Sequence, residues 1–162
     1  MEFVLDNTDL QILQLMQENA RIPNVEMAKK LEMAPSAVLE RVKKLEQRKV
    51  IRGYTTNVDP AAVEQKLLAY IFIKTNDGMG CSVTGPALAA IPEVQEVHNI
   101  AGEDCYLVKV RTADSAGLIA LMRNAFAKIP TITSTKTTIV LETVKEEQKV
   151  MIKLAAGNDV NR

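Results

Sequence analysis

Two stretches of the chain gather side chains that can do more than pack. From Ile100 to Val108 the sequence runs IAGEDCYLV, a Gly-Glu pair breaking a strand-like run, with Asp104 and Cys105 directly after it. A two-residue loop with Gly102 first suits a type II′ hairpin, so backbone geometry alone accounts for the glycine. The N–H groups of such a turn can also face a carboxylate while Glu103 or Asp104 holds an ammonium group. A free amino acid offers both charges. The second stretch, PSAVLERVKKLEQRK, carries Arg41, Lys43, Lys44, Arg48 and Lys49 against Glu40 and Glu46. Five cations less two anions leave a local excess of three, in a chain whose 20 basic residues balance its 20 acidic ones. Any surface for a polyanion is therefore local. His98 is the one histidine, and Cys81 and Cys105 are the two cysteines. They form no disulfide framework and show no metal-ligand spacing, which argues against a zinc site and a Cys-His dyad. Both cysteines read as small apolar side chains rather than a redox switch. His98, four residues before Gly102, reads first as a packed strand residue. Its second reading is a pocket-lining group with pH-dependent binding near its reference value of about 6.5.

The elements that position these residues follow from periodicity. Leu10, Ile12, Leu13 and Met16 recur at helical spacing after Asp6, an N-cap with an acid three positions on at Asp9. Val25, Ala28 and Leu31 mark a short second helix after the break at NARIPN. Pro35 suits the first turn of a third, whose Val38, Val42 and Leu45 make an apolar stripe. A short helix, a tight turn and a helix that is apolar inside and basic outside make a helix-turn-helix, the second member of which fits the major groove of duplex DNA. An ordinary solvated helix face is the plainer alternative for a basic stretch taken alone. VIRGYTTNVDP reads as a short strand leading into a linker that ends near Pro60.

Beyond it the chain changes character. LLAYIFIK is a strand, NDGMG a loop and Pro86 to Ile91 a short helix. Val94–Ala101 and Asp104–Thr112 are strands flanking the Gly-Glu pair. Asp114 or Ser115 caps a helix whose Leu118, Met122, Ala125, Phe126 and Ile129 share one side, and TITSTKTTIVLET is dense in β-branched residues. The order β-α-β-β-α-β is the ferredoxin-like split unit, with both helices on one face of the sheet. Apolar side chains on the other face need cover, so at least a dimer is expected. Val144, Met151 and Leu154 hint at a short helix before a loose GNDVNR tail.

Several of these segments, in this order, resemble the leucine-responsive/asparagine-responsive (Lrp/AsnC, feast/famine) transcriptional regulators: LDNTDLQIL, NARIPNVEMAKKL, PSAVLERVKKLEQRKVIRGY and AGEDCYLVKV. The resemblance runs from about Leu5 to Lys145. It implies an α+β protein with a winged-type helix-turn-helix over 1–60, a ferredoxin-like βαββαβ αβ-sandwich over 61–145 for effector binding and oligomerisation, and an extension over 146–162. It also implies dimers that assemble into tetramers, octamers or higher species. By position, Ser36, Ala37, Leu39, Glu40, Arg41 and Lys44 would lie in or near the groove, with Arg21, Lys43 and Arg48 on phosphates. The sequence departs from the family where Glu32 stands for a frequent Gly, Ala34 for Ser, and Lys49 for the Gly that commonly ends the reading helix. The family's effector pocket lies at the Gly102 hairpin where dimers meet, which brings in His98, Ile100, Gly102, Glu103, Asp104, Cys105, Thr135 and Thr137. Cys105 stands where the family usually has an acid, so Glu103 or Asp104 takes over the ammonium, or the ligand differs.

The expected function is a sequence-specific, DNA-binding transcriptional regulator modulated by an amino acid or similar small metabolite. It is expected to need no cofactor or metal. The expected partners are double-stranded DNA, further copies of the chain and the effector. No apolar run approaches the roughly 18–20 residues that span a bilayer, and the start of the chain lacks a signal-peptide pattern, so a cytoplasmic protein is expected. Two other readings share the architecture: a tetrapyrrole (sirohaem-type) decarboxylase, which a single histidine disfavours, and an amino-acid sensor that no longer binds DNA.

Overall fold

Asp6 starts the first helix by the reciprocal arrangement its spacing to Asp9 predicts. Asp9 N–H donates to Asp6 Oδ1 at 2.8 Å, and Asp6 N–H lies 3.4 Å from Asp9 Oδ2. The computed structural model describes residues 4–77 and 83–154; Cys81, part of NDGMG and the GNDVNR tail lie outside them. Helices α1 (Asn7–Glu18), α2 (Asn24–Leu31) and α3 (Pro35–Gln47) follow. They close over Ile12, Met27, Ala28, Val38, Val42 and Leu45, all buried. Burial of each of the larger side chains is worth about 1.5–3 kcal/mol. Val25 departs from the expected stripe of α2. It is exposed, and Met27 takes the inner position.

The second unit is built on strands β1 (Leu67–Thr75), β2 (Val94–Asn99), β3 (Tyr106–Thr112) and β4 (Ile132–Ile139), with α4 (Thr84–Ala89) and α5 (Ser115–Asn124) between them. The order in the sheet is β2-β3-β1-β4, antiparallel at every step, as the split βαβ unit requires. Asp114 caps α5 through a 2.8 Å bond from Gly117 N–H. Ala69, Ile71, Ile73, Val108 and Val110 alternate onto one face, where Leu88 of α4 and Leu118 and Leu121 of α5 cover them. Both helices therefore lie on one side. The opposite face carries Tyr70, Phe72 and Leu107, each partly exposed.

Contacts divide the described chain after Thr56 and after Lys145, and residues 146–154 group with the N-terminal helices. Their tie is specific: Gln17 Nε2 donates to the Val150 carbonyl at 2.9 Å, and Val150 N–H donates to Gln17 Oε1 at 2.7 Å. Three expectations are corrected. No strand forms over 50–58, because a strand needs a ladder partner and the single chain supplies none. No helix forms over 144–154, where Val144, Met151 and Leu154 stay exposed and give an apolar stripe nothing to pack on. The β2–β3 connection is also wider than a two-residue turn. β2 ends at Asn99 and β3 begins at Tyr106, with Ile100 N–H donating to the Cys105 carbonyl at 3.0 Å as the closing pair.

Candidate functional site

The third helix owes its position to the stripe Val38, Val42 and Leu45, buried against α1 and α2. What remains outward at i, i+3, i+4, i+7 and i+11 is Ser36, Leu39, Glu40, Lys43 and Gln47, all exposed. Leu39 is 39% exposed. Gln47 was not among the residues singled out from sequence, although its spacing from Lys43 places it on this face. Ala37 is half-buried at the edge, and Lys44 pairs with Glu40 at 2.8 Å. That pair holds the Glu40 carboxyl below its usual range, first by the hydrogen bond and then by the charge. Lys43, Arg48 and Lys49 are exposed toward the helix's C-terminal end, and Arg21 is exposed in the turn between α1 and α2. The Tyr54 hydroxyl donates to Glu46 at 2.8 Å, tying the segment after α3 back to it. Burial, then that bond and the carboxylate's charge, push the Tyr54 phenol up to about 12.

Arg41 is placed differently from its neighbours. Its Nη1 donates to Asp6 Oδ2 and to Asp9 Oδ1, both at 2.7 Å, and the Asp9 side chain is only 8% exposed. The guanidinium thus faces the start of α1, not the outward stripe. Hydrogen bonds from Asp9 and then Asp6 hold it above its ordinary range. Burial pulls the Asp6 carboxyl upward, but the Asp9 backbone bond and Arg41 together outweigh it and leave that carboxyl below its usual value.

The turn into α3 shows why the departures from the family pattern matter. Glu32 has φ 53° and Lys49 φ 59°, both left-handed, where glycine carries no penalty. Ala34 occupies the N-cap of α3 with no side-chain bond to offer.

In the second unit the loop 100–105 sits at one end of β2 and β3. Gly102 has φ +144°, and a Cβ there would touch nothing within 4 Å, so the backbone and not crowding calls for glycine. Glu103 is exposed and Asp104 half-buried. Cys105 N–H donates to the Ile73 carbonyl at 2.8 Å, which makes it a continuation of the ladder. Sequence reasoning missed Lys74, whose Nζ lies 3.5 Å from Glu103 Oε2 across the neighbouring strand. The lone cation closing LLAYIFIK was the available signal. His98 is exposed, 3.2 Å from Glu96 Oε2, and Glu96 also accepts from Lys109 at 3.1 Å. Burial raises the Glu96 carboxyl, but the bonds from His98 and Lys109 prevail and hold it low. Ile100 is half-buried at the start of the loop. Thr135 and Thr137 pair with Ile73 and Ile71 on β4. They sit two strand spacings from β3, roughly 10 Å, and a single protomer does not bring them to Gly102.

A short helix, a turn and a polar-faced helix, joined to a sheet that carries an open glycine loop, define a helix-turn-helix regulator with an attached ligand-binding domain. Residues 5–46 match the AsnC-type helix-turn-helix domain and residues 68–150 the Lrp/AsnC ligand binding domain. The leucine-responsive regulatory protein of Escherichia coli strain K12 is 33% identical over 151 residues, 92% of either chain. A transcriptional regulator from Neisseria meningitidis, solved as an L-methionine complex, superposes with a TM-score of 0.84 at 26% identity, covering 91% of this chain and 97% of its own. A feast or famine regulatory protein from M. tuberculosis, complexed with L-methionine, gives a TM-score of 0.84 at 29% identity over 93% of this chain and 100% of its own. The chain belongs to the Lrp/AsnC family of transcriptional regulators. Among the described residues no group of His, Cys, Asp and Glu is arranged to hold a metal, and no helix is long and apolar enough to cross a membrane.

Proposed function

We propose that this regulator reads duplex DNA with the outward face of α3 and adjusts that binding to a free amino acid held at the loop 100–105. The observation that carries the reading is the outward stripe Ser36, Leu39, Glu40 and Lys43, presented on a helix whose inner face is fully committed. Ser36, Ala37, Leu39 and Glu40, in the N-terminal half, meet base edges with Lys44 beside the groove, while Lys43, Arg48 and Arg21 meet phosphates. The family resemblance groups Arg41 with the base readers, but its bonds to Asp6 and Asp9 support a different part for it.

At the loop, an amino acid's ammonium is held by Glu103 or Asp104, and its carboxylate by Lys74 and the N–H groups beside Gly102. Such a ligand separates the exposed Lys74–Glu103 pair, which by itself is worth little. His98 on β2 and Ile100 and Cys105 at the two ends of the loop line the approach, and Thr135 and Thr137 reach the pocket only from a neighbouring protomer. In this reading the protein works as a dimer or larger, in the cytoplasm, as a regulator rather than an enzyme or a membrane protein. Half-sites about one helical turn apart, roughly 34 Å, suit paired reading helices. A coupling of about 1–3 kcal/mol between effector and DNA changes affinity about 5- to 150-fold.

The test is a gel shift on the gene's own promoter region, with and without each common amino acid, alongside a thermal-shift screen. A retarded band that one amino acid moves supports the reading, and no band even at low salt refutes it. A protein that shifts in the thermal screen yet retards no duplex is instead a sensor without DNA. A Soret-region spectral change on adding a tetrapyrrole marks the decarboxylase alternative.

A further inference from the structure

The arginine in the middle of α3 has a task its neighbours lack. Its Nη1 bridges both carboxylates of the capping box that starts α1, at 2.7 Å to each. One of those carboxylates, Asp9, is nearly out of solvent, with 8% of its side chain exposed. A carboxylate that deep needs a partner, and Arg41 is the cation that reaches it. Helix α1 begins where α3 crosses it, so one guanidinium fixes the start of the first helix and the roll of the third together. The outward stripe sits on the same two turns of α3 as Arg41, at Ser36, Leu39, Glu40 and Lys43. Rolling the helix about its axis moves every one of these side chains against a groove whose base edges tolerate little displacement.

We infer that Arg41 is a positioning residue for DNA recognition: it sets the angle at which α3 is presented by clamping it to Asp6 and Asp9, and it supplies neither a base contact nor a phosphate contact. The inference rests on the DNA-binding reading above and goes further, since it takes out of the contact surface a residue whose charge suggests a contact. It also changes the local electrostatics. With Arg41 engaged by two carboxylates and Lys44 by Glu40, the exposed Lys43 and Lys49 carry positive charge on the last turns of the helix and just past its end. Phosphate contact is thereby shifted toward the C-terminal half.

A contact and a clamp respond differently to salt. Each phosphate contact releases counterions, so its removal lowers the slope of log K against log salt by about 0.9. Loss of a clamp weakens binding at every salt concentration and leaves the slope where it was. The experiment uses the full-length chain and a duplex enriched by the wild type from a random-sequence pool. Arg41→Ala, Asp9→Asn, their double variant, Arg41→Lys and Lys43→Ala are compared at several salt concentrations, with helical content checked by circular dichroism.

Arg41→Ala is expected to lose about tenfold in affinity, comparable to one good base-edge contact, with its slope unchanged. Asp9→Asn, which alters a residue too buried to meet DNA, loses a similar factor, and the double variant loses no more than the worse single one. Lys43→Ala shows the slope change that Arg41→Ala lacks. Arg41→Lys keeps the charge and the fold, but its ammonium sits one bond nearer the backbone than the Nη1 that meets both carboxylates, so affinity falls without a change in slope. If Arg41→Ala does not fold, Asp9→Asn and Arg41→Lys decide the matter. The inference is overturned if an Arg41 variant loses about 0.9 of slope, or if Asp9→Asn binds as well as or better than wild type. A wild type that enriches no duplex is a different result: it removes the DNA reading itself, and the clamp's role in it with that reading.

Discussion

Glu32 and Lys49 each hold a left-handed backbone that most side chains resist, at about 1–2 kcal/mol per residue. Part of this is recovered by the unfolded chain, since glycine loses more entropy on folding. Glu32→Gly and Lys49→Gly should therefore each stabilise the N-terminal helices by roughly 1 kcal/mol, read as slower hydrogen exchange of the α2 and α3 amides. Ala34→Ser should add about as much by supplying the missing cap. These positions were legible because the sequence departs from a pattern at residues with a backbone reason for it. Arg41 was not legible in the same way. Its type and its place on a basic helix pointed outward, and nothing in the linear order shows that Asp6 and Asp9 lie within 2.7 Å of it. A long side chain at the flank of a helix can turn to either side, and the packing partner decides.

Elements were easier to read than their ends. The βαββαβ order, the cap at Asp114 and the single helical face all follow from periodicity, because a strand or helix buried on one side must show its period. The β2–β3 connection did not follow, since a Gly-Glu pair suits a tight turn and a wide loop alike. Gly102 is the residue of that loop whose backbone calls for glycine. Gly102→Val places a β-branched residue at φ +144°, where only the backbone objects. The amino-acid response should disappear, with the thermal shift on ligand addition falling to zero, while exchange in α1–α3 stays at wild-type rates. A mutant that responds normally removes the loop from the effector site. The connections also carry hydrogen-bonded carboxylates with a common acid limit. Thr75 and then Thr84 hydrogen-bond Asp77 and hold its carboxyl low, pinning the chain on either side of residues 78–82. Glu96, with Asp6 in the other unit, is also held below its ordinary value. A carboxyl depressed in the folded state stabilises it above the unfolded value and loses that contribution as pH falls through the folded one. The contribution should be intact from neutrality to about pH 5 and fade below about pH 4. A chemical-denaturation midpoint that is flat from about pH 7 to 5 and drops below about 4 is the expected profile. Asp77→Asn should flatten the acid limb of the C-terminal transition alone.

At the scale of the whole molecule, three features of one chain ask for another. The sheet face away from the helices leaves Tyr70, Phe72 and Leu107 partly exposed, with Lys136 stacked over the Phe72 ring at 4.6 Å. Residues 50–58 have strand-like composition and no ladder. Thr135 and Thr137 stand two strands from the loop they were expected to join. A second copy laid on the open face covers the first, can pair with the second and can bring its threonines to the third. Composition announced the strand but not its absence, because strand-like residues do not say whether the chain offers them a ladder partner. Phe72→Asp puts an unpaired charge in the middle of that face, and desolvating it against a partner costs far more than the surrounding apolar burial returns. The variant should sediment as a monomer near 17.8 kDa with its helices intact, and should lose the amino-acid response together with tight DNA binding, both of which the proposed function assigns to paired protomers. Sedimentation velocity on wild type and variant checks this. A wild type that already runs as a monomer, yet binds amino acid and DNA with full strength, would show that the open face and the unpaired segment need no partner.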